Sequence, residues 1–223
     1  MKLSMTLQFR KILSLIGLVV LTNCSVVKDV LIKPTPQLLP GTILFADDFS
    51  TTENGWKTWN QDNSYVMFQA GGLHFFNNQP NYDFWSKPGY KFSDVKIQAD
   101  AIKIGGPDNN SFGVICRMTD DLNFYAFIIS SDGYSGILKV FEGKYELLNG
   151  DSMEFSSAII KGDSLNQITA ECFSNDLSLA VNGKNVLKAQ DSDFTSGDVG
   201  FIVGTFDEAG VEVLFDNLSV IQP

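Results

Sequence analysis

The sequence is poor in the residue types on which nucleic-acid binders and many hydrolases depend. It contains one histidine and 16 Lys+Arg against 26 Asp+Glu, which gives a formal net charge of −10. Nucleic-acid binding needs a cationic stripe that displaces counterions, and no cluster of Lys and Arg occurs beyond the N-terminus. The composition therefore argues against a nucleic-acid partner. With one histidine, no Ser-His-Asp or metal-hydrolase set can be assembled either.

Helical periodicity is also missing. From residue 42 onward, short apolar runs of about five to nine residues alternate with turn residues, which is typical of β-strands. The chain has 223 residues, of which 44% are hydrophobic, enough to bury a core, and an all-β sandwich of this size is ordinarily one domain. We predict an all-β antiparallel sandwich over residues 42–223.

The stretch 111–140, SFGVICRMTDDLNFYAFIISSDGYSGILKV, carries the clearest strand pattern. Two polar turns divide it into three apolar runs, which predicts an antiparallel meander in the middle of the sandwich. Asn182-Gly183 lies between two alternating runs, and this pair favours a type I′ hairpin turn.

The first 23 residues have the pattern of a secretory signal peptide. Lys2, Arg10 and Lys11 precede an apolar run over residues 12–21 that is too short to span a bilayer. The run ends in Leu-Thr-Asn-Cys, which resembles the bacterial lipobox, although Asn23 stands where a small residue is usual. We expect lipidation of Cys24; the alternative is a secreted protein cleaved nearby.

Residues 24–41 are expected to form a short tether. They contain Pro34, Pro36 and Pro40 and no strand-like alternation of useful length. Ser25 follows the cysteine, where many lipoproteins retained in an inner membrane have Asp. We therefore expect an outward-facing, membrane-anchored lipoprotein of the cell envelope.

The two other cysteines, Cys116 and Cys172, both fall on the apolar face of predicted strands. This position predicts two buried thiols that act as small hydrophobic residues. Export also permits a disulfide, which requires Cα atoms within about 7 Å of each other, a distance that the sequence does not show.

Several motifs together resemble the concanavalin A-like lectin/glucanase superfamily. They are Gly55-Trp56, the stretch 111–140, LSLAVNGKNV, DSDFTSGDVGFIVGTF and the closing VEVLFDNLSV. More narrowly, the chain is similar to laminin-G-like domains related to 3-keto-disaccharide hydrolases, over residues 43–220. The resemblance implies a two-sheet jelly roll. It does not fix the function, because this fold carries binding modules, hydrolases and spacers alike.

Aromatic residues are the candidates for carbohydrate binding, because sugar C–H faces stack on rings while hydroxyl groups form hydrogen bonds. We expect Trp56 to be a core residue, as its motif implies. Arg117 is either a ligand contact or a structural charge pair on the sheet face. The predicted ligand-binding residues are Trp59, Tyr82, Trp85, Arg117, Tyr125 and Tyr134.

A calcium ion is a further expectation from the resemblance, since members of this superfamily often bind Ca²⁺ between the first and last strands. Asp216 matches the position of the ligand in the last strand, and Asp47 or Asp48 could join it from the first. The alternative is that Asp216 bonds to the neighbouring backbone. We expect no other cofactor.

Paired carboxylates of the glucanase type are not recognisable. Glu212 and Asp216 come nearest, but four residues along a strand separate them by about 13 Å, and His74 is expected to be a half-exposed strand residue. The sequence thus favours a surface-tethered, non-catalytic module that binds glycan or another partner. The alternatives are a glycosidase-like hydrolase and a passive spacer of the cell envelope.

Overall fold

A computed structural model describes residues 38–223, which form sixteen β-strands and no helix. The predicted signal peptide, Cys24 and most of the predicted tether lie outside the described residues. In chain order the strands are β1 (Ile43–Asp47), β2 (Trp59–Gln61), β3 (Ser64–Gln69), β4 (Gly72–Asn77), β5 (Asp83–Ser86), β6 (Val95–Gly105), β7 (Asn110–Asp120), β8 (Asn123–Ile129), β9 (Tyr134–Phe141), β10 (Lys144–Leu147), β11 (Glu154–Phe155), β12 (Leu165–Phe173), β13 (Asp176–Val181), β14 (Lys184–Gln190), β15 (Asp198–Thr205) and β16 (Val211–Ile221).

The strands form two antiparallel sheets. The nine-stranded sheet has the order β14-β13-β12-β6-β16-β4-β3-β2, and β1 pairs with β16. The seven-stranded sheet has the order β10-β9-β8-β7-β15-β5, and β11 pairs with β9. This arrangement confirms the predicted all-β sandwich. It contains no helix that could cross a membrane within residues 38–223.

The predicted local elements are present. Stretch 111–140 supplies β7, β8 and β9, which lie side by side in the seven-stranded sheet. Asn182 and Gly183 connect β13 to β14 with φ angles of 51° and 77°, the positive values of a type I′ turn. By contrast, no sequence pattern predicted the short strands β10 and β11, whose residues are mostly exposed.

Aromatic rings join the two sheets in the core. Phe201 of β15 stacks on Phe215 of β16 with ring centroids 4.1 Å apart, and Trp56 stacks on the other side at 5.1 Å. Trp56 is buried and donates from Nε1 to Asp47 Oδ2 at 2.8 Å. The prediction that Trp56 belongs to the core is confirmed.

Cys116 and Cys172 form a disulfide between the sheets, so the prediction of two free thiols is wrong. Cys116 lies on β7 and Cys172 on β12, and both side chains point inward from facing sheets. Their Cα atoms are 6.9 Å apart, which is within reach of a bridge. The sequence placed both residues on the inner faces but could not show that they lie opposite each other.

His74 is buried, not half-exposed as predicted. It lies on the outer face of the nine-stranded sheet, where the Tyr65 ring packs edge-on against it at 5.2 Å. Its Nε2 atom is 2.8 Å from Oε1 of Glu212 on the neighbouring strand β16. Cross-strand neighbours, which the sequence pattern does not reveal, therefore cover this histidine.

Candidate functional site

A groove of about 400 Å³ opens where an edge of one sheet meets an edge of the other. Strand β2 is the last strand of the nine-stranded sheet, and β5 is the last strand of the seven-stranded sheet. Residues from both strands line the groove together with neighbouring loops. Edge strands carry few covering neighbours, so their side chains are free to form a cleft.

Aromatic side chains form the walls of this groove. Trp59 on β2 packs edge-on against Phe84 on β5, with ring centroids 4.4 Å apart. Trp85 points to the opposite face of β5, where it packs on Phe124 at 5.7 Å and donates from Nε1 to Asp121 Oδ1 at 3.2 Å. The groove therefore bends around β5 and presents one indole on each side of it.

The fourth aromatic residue of the groove, Tyr82, is 51% exposed but has a fixed backbone. Its carbonyl accepts from Asn77 Nδ2 at 2.7 Å and from the Thr205 amide at 3.0 Å, and its own amide donates to Thr205 Oγ1. Ser86 Oγ donates to the Lys57 carbonyl at 2.7 Å, which ties β5 to the segment that leads into β2. The walls of the groove are thus held in place before any ligand arrives.

Polar side chains complete the lining. They supply two ammonium groups, two amides and three carboxylates, from Lys57, Lys87, Gln61, Gln79, Asp62, Asp83 and Asp121. Aromatic faces beside groups that donate and accept hydrogen bonds are the combination that sugar rings require.

Asp83 is the most perturbed acid of the groove. Burial raises the pKa of this carboxyl, and a hydrogen bond with Tyr145 of β10 offsets part of that rise. Burial and the Asp83 charge in turn raise the pKa of the Tyr145 hydroxyl. Asp83 lies on β5 and Tyr145 on β10, which are the two end strands of the seven-stranded sheet.

Two predicted ligand residues, Arg117 and Tyr125, do not reach the groove. Arg117 is 2% exposed and donates to Asp94 Oδ1 at 2.9 Å and to the carbonyls of Ser93, Ser174 and Phe194. Every one of its nitrogen atoms has a protein partner, so the structural charge pair is the correct alternative.

Tyr125 is fully buried, and its hydroxyl donates to Asp191 and accepts from the Phe194 amide. Burial, followed by the Asp191 hydrogen bond, raises the pKa of this phenol. No solvent-borne ligand can contact this side chain in the folded protein, so its assignment to a ligand site is corrected to a core role.

Tyr134 lies elsewhere on the surface. It begins β9, is 41% exposed and packs edge-on against Phe155 of β11 at 5.8 Å. It is not among the residues that line the groove. The structure therefore gathers Trp59, Tyr82 and Trp85 into one site and leaves Tyr134 outside it.

The three aspartates predicted to bind calcium do not form a common ligand set. Asp47 is buried, and its two oxygens accept from the Phe49 amide and from Trp56 Nε1, both at 2.8 Å. Asp48 accepts from Ser50, and Asp216 Oδ1 accepts from the Asn217 amide at 2.7 Å. Residues 38–223 contain no group of three or more His, Cys, Asp or Glu residues that could hold a metal ion.

Sequence reasoning missed the polar lining of the groove. Asp83 stands two residues before Trp85 in the motif Asn81-Tyr82-Asp83-Phe84-Trp85. Alternate residues of a strand point to the same face, so this spacing was an available signal that Asp83 accompanies Trp85. Lys57, Gln79 and Asp121 come from separate loops, and no local pattern connects them.

Comparison with solved structures identifies the fold. The carbohydrate-binding module CBM66 from Bacillus subtilis superposes with a TM-score of 0.62 at 16% sequence identity, over 76% of this chain and 96% of that one. The chain has a concanavalin A-like jelly-roll fold. A protein of unknown function with a galectin-like fold, also from Bacillus subtilis, gives a TM-score of 0.59 at 14% identity, over 82% of this chain and 97% of that one.

A GH16 protein of a Bacteroides ovatus mixed-linkage glucan locus, solved with a G4G4G3G product, gives a TM-score of 0.55 at 10% identity, over 80% of this chain and 100% of that one. No protein-family model and no curated protein matches the sequence. At these identities the similarity establishes the jelly-roll fold alone.

Proposed function

We propose that this jelly roll binds carbohydrate, without cleaving it, in the groove between β2 and β5. The observation that carries the proposal is the meeting of Trp59 and Trp85, from different sheets, in one polar groove. The printed descriptions of the similar structures, a carbohydrate-binding module and a glycan-complexed GH16 protein, support the same ligand class.

Binding without cleavage is the simpler proposal because a carboxylate of the groove already holds an aromatic side chain. Asp121 accepts from the Trp85 indole at 3.2 Å. Such contacts position groove residues, whereas glycoside hydrolysis needs one carboxyl group to donate a proton and a second to act as nucleophile or base.

Substitution of the aromatic residues tests the binding site. Loss of one stacking ring removes about 1.4 kcal/mol of binding free energy, so we expect Trp59→Ala and Trp85→Ala each to weaken glycan binding about tenfold. The ligand is first selected on a glycan array, and its affinity is then measured by calorimetry. Tyr82→Ala, at an exposed position, should also weaken binding while leaving the melting temperature unchanged.

Tyr134→Ala is the matched control, because Tyr134 is an exposed aromatic residue outside the groove. Its affinity should equal that of the unmodified protein. Unchanged affinity in all three groove variants would reject the assignment of the site. An array on which no glycan is retained would instead favour the passive-spacer alternative.

A hydrolase is the second candidate, and the raised pKa of Asp83 favours it. A carboxyl group whose pKa is raised by burial holds its proton to higher pH than an exposed one, which suits it to act as a general acid. Reducing-sugar release from polysaccharides, assayed with Asp83→Asn alongside the unmodified protein, separates the two functions. Release that disappears in the variant, with binding retained, would replace the non-catalytic proposal.

We further propose that Cys24 is acylated and that the jelly roll is held at the outer face of the cell envelope. Two or three acyl chains make a lasting anchor, because each buried CH₂ contributes about 0.8 kcal/mol. Labelled palmitate should be incorporated into the protein and lost in Cys24→Ala. Equal labelling of both proteins, or of neither, would contradict the proposal.

A further inference from the structure

A second groove lies at the opposite edge of the nine-stranded sheet, on the outer face of β12, β13 and β14. Its volume is about 620 Å³. The strand register places six side chains there in two rows of three, Phe173-Asp176-Gln190 and Glu171-Ser178-Lys188. Adjacent strands are about 4.8 Å apart and alternate residues about 7 Å apart, so the six side chains cover a patch of about 10 by 7 Å.

The aromatic ring of this patch, Phe173, is exposed but rigidly supported. Its side chain is 47% exposed. The preceding residue, Cys172, is fixed by the disulfide to Cys116. The following residue, Ser174, accepts from Arg117 Nη1 at 2.8 Å and donates from its amide to Asp94 Oδ1 at 2.9 Å. The backbone that carries the ring is held in this way, so it loses little conformational entropy on binding.

The polar side chains around Phe173 offer both donors and acceptors. Gln190 Nε2 donates to Asp176 Oδ1 at 2.8 Å, and this hydrogen bond fixes both side chains in the row that contains Phe173. Lys188 and Ser178 supply further donors, and Glu171 supplies an acceptor. Two carboxylates against one ammonium group, on a chain of net charge −10, disfavour an anionic ligand.

We propose that this patch is a second carbohydrate site, which takes a neutral sugar ring against Phe173. The inference rests on the proposed function, because it assumes that the chain binds glycans at all. The two sites lie at opposite edges of one sheet, so a polysaccharide long enough to reach both would be held by avidity, which can strengthen binding by 10² to 10⁴.

Binding stoichiometry tests the second site. Cellotetraose, laminaritetraose and xylotetraose are titrated into the full chain by calorimetry, and we expect two tetrasaccharides to bind per chain. Phe173→Ala should reduce the stoichiometry to one and leave the affinity of the β2–β5 groove unchanged. The double variant Trp59→Ala/Trp85→Ala should lose the groove site and still bind one tetrasaccharide at Phe173.

Leu165→Ala is the matched control, because Leu165 is an apolar residue on the same strand and is 46% exposed. This variant should retain both sites.

The outcomes distinguish this inference from the proposed function. A stoichiometry of one that the double tryptophan variant abolishes, and that Phe173→Ala leaves intact, would overturn the second site while supporting the first. No binding of any of the three tetrasaccharides to the unmodified chain, together with an array on which no glycan is retained, would overturn both. Melting curves of Phe173→Ala and Leu165→Ala that coincide with the unmodified protein establish that the folds are intact.

Discussion

Individual aspartates in this protein have different roles because burial and hydrogen-bond donors differ from one to the next. Asp198 accepts from the amides of Gly89, Tyr90 and Val199, yet burial still raises its pKa. Asp83 has a raised pKa from the same cause. Asp48 is exposed, and its bonds to Ser50 lower its pKa. The sequence predicts none of these differences, because they depend on neighbours from distant parts of the chain.

Asp47 should contribute to the stability of the fold and not to the binding of calcium. Asp47→Ala leaves the buried Trp56 indole and the Phe49 amide without their acceptor, so we expect a loss of about 3 kcal/mol in the free energy of unfolding. Asp48→Ala, at an exposed position, should lower the free energy of unfolding far less than Asp47→Ala. Urea denaturation measures both. EDTA should leave the melting temperature of the unmodified protein unchanged; a marked fall would restore the calcium prediction.

Asp83 should make stability depend on pH. Its pKa is higher in the folded than in the unfolded state, so the folded protein binds more protons between the two values. Stability contributed by Asp83 is therefore present below the ordinary Asp pKa of about 4 and is lost as the pH rises through the raised value. Asp83→Asn should melt like the unmodified protein below pH 4 and at a higher temperature at pH 7. The expectation would be contradicted if the difference in melting temperature between the two proteins were the same at every pH in this range.

At the scale of strands and turns, the sequence predicts well wherever the pattern is local. The alternation in β6, β12 and β13 and the Asn-Gly turn are properties of neighbouring residues, and the structure confirms them. The exposed strands β10 and β11 were missed because they pair only at the edge of a sheet and bury little. The groove was predicted in part: its aromatic residues stand in recognisable motifs, but the meeting of β2 with β5 depends on strand order, which no local pattern contains.

The β13–β14 turn offers a prediction at this scale. Asn182 Nδ2 donates to the Ala158 carbonyl and to Asn166 Oδ1, both at 2.8 Å, and its Oδ1 accepts from the Gln167 amide at 2.9 Å. Asn182→Ala removes these bonds and places alanine at positive φ, so we expect a loss of about 2–3 kcal/mol in unfolding free energy. Asn185→Ala, at an exposed position two residues beyond the turn, should change it by less than about 0.5 kcal/mol. Equal effects in chemical denaturation would contradict the role of the turn.

For the molecule as a whole, the disulfide between Cys116 and Cys172 is the main covalent constraint within the described residues. It joins residues 56 positions apart on different sheets. Closing a loop of this length restricts the unfolded chain and is worth about 4 kcal/mol. We expect reducing agent to lower the unfolding free energy in urea by about this amount.

A Cys116→Ala/Cys172→Ala double variant is the control for the reduction experiment, because its stability should be insensitive to reducing agent. Mass spectrometry under non-reducing conditions should show a mass two hydrogen atoms below that of the dithiol. Two free thiols in the protein, with stability independent of reductant, would reinstate the sequence-based expectation.

The position of the β2–β5 groove also has a mechanical consequence. Trp59 lies close in sequence to Leu38, where the described chain begins, and Phe49 and Trp56 anchor the connecting stretch in the core. Tension applied between Leu38 and a ligand held against Trp59 would therefore pass along residues 38–59. The first strand pairing on that path is the short one of β1 with β16, so we expect it to be the first element to yield under force.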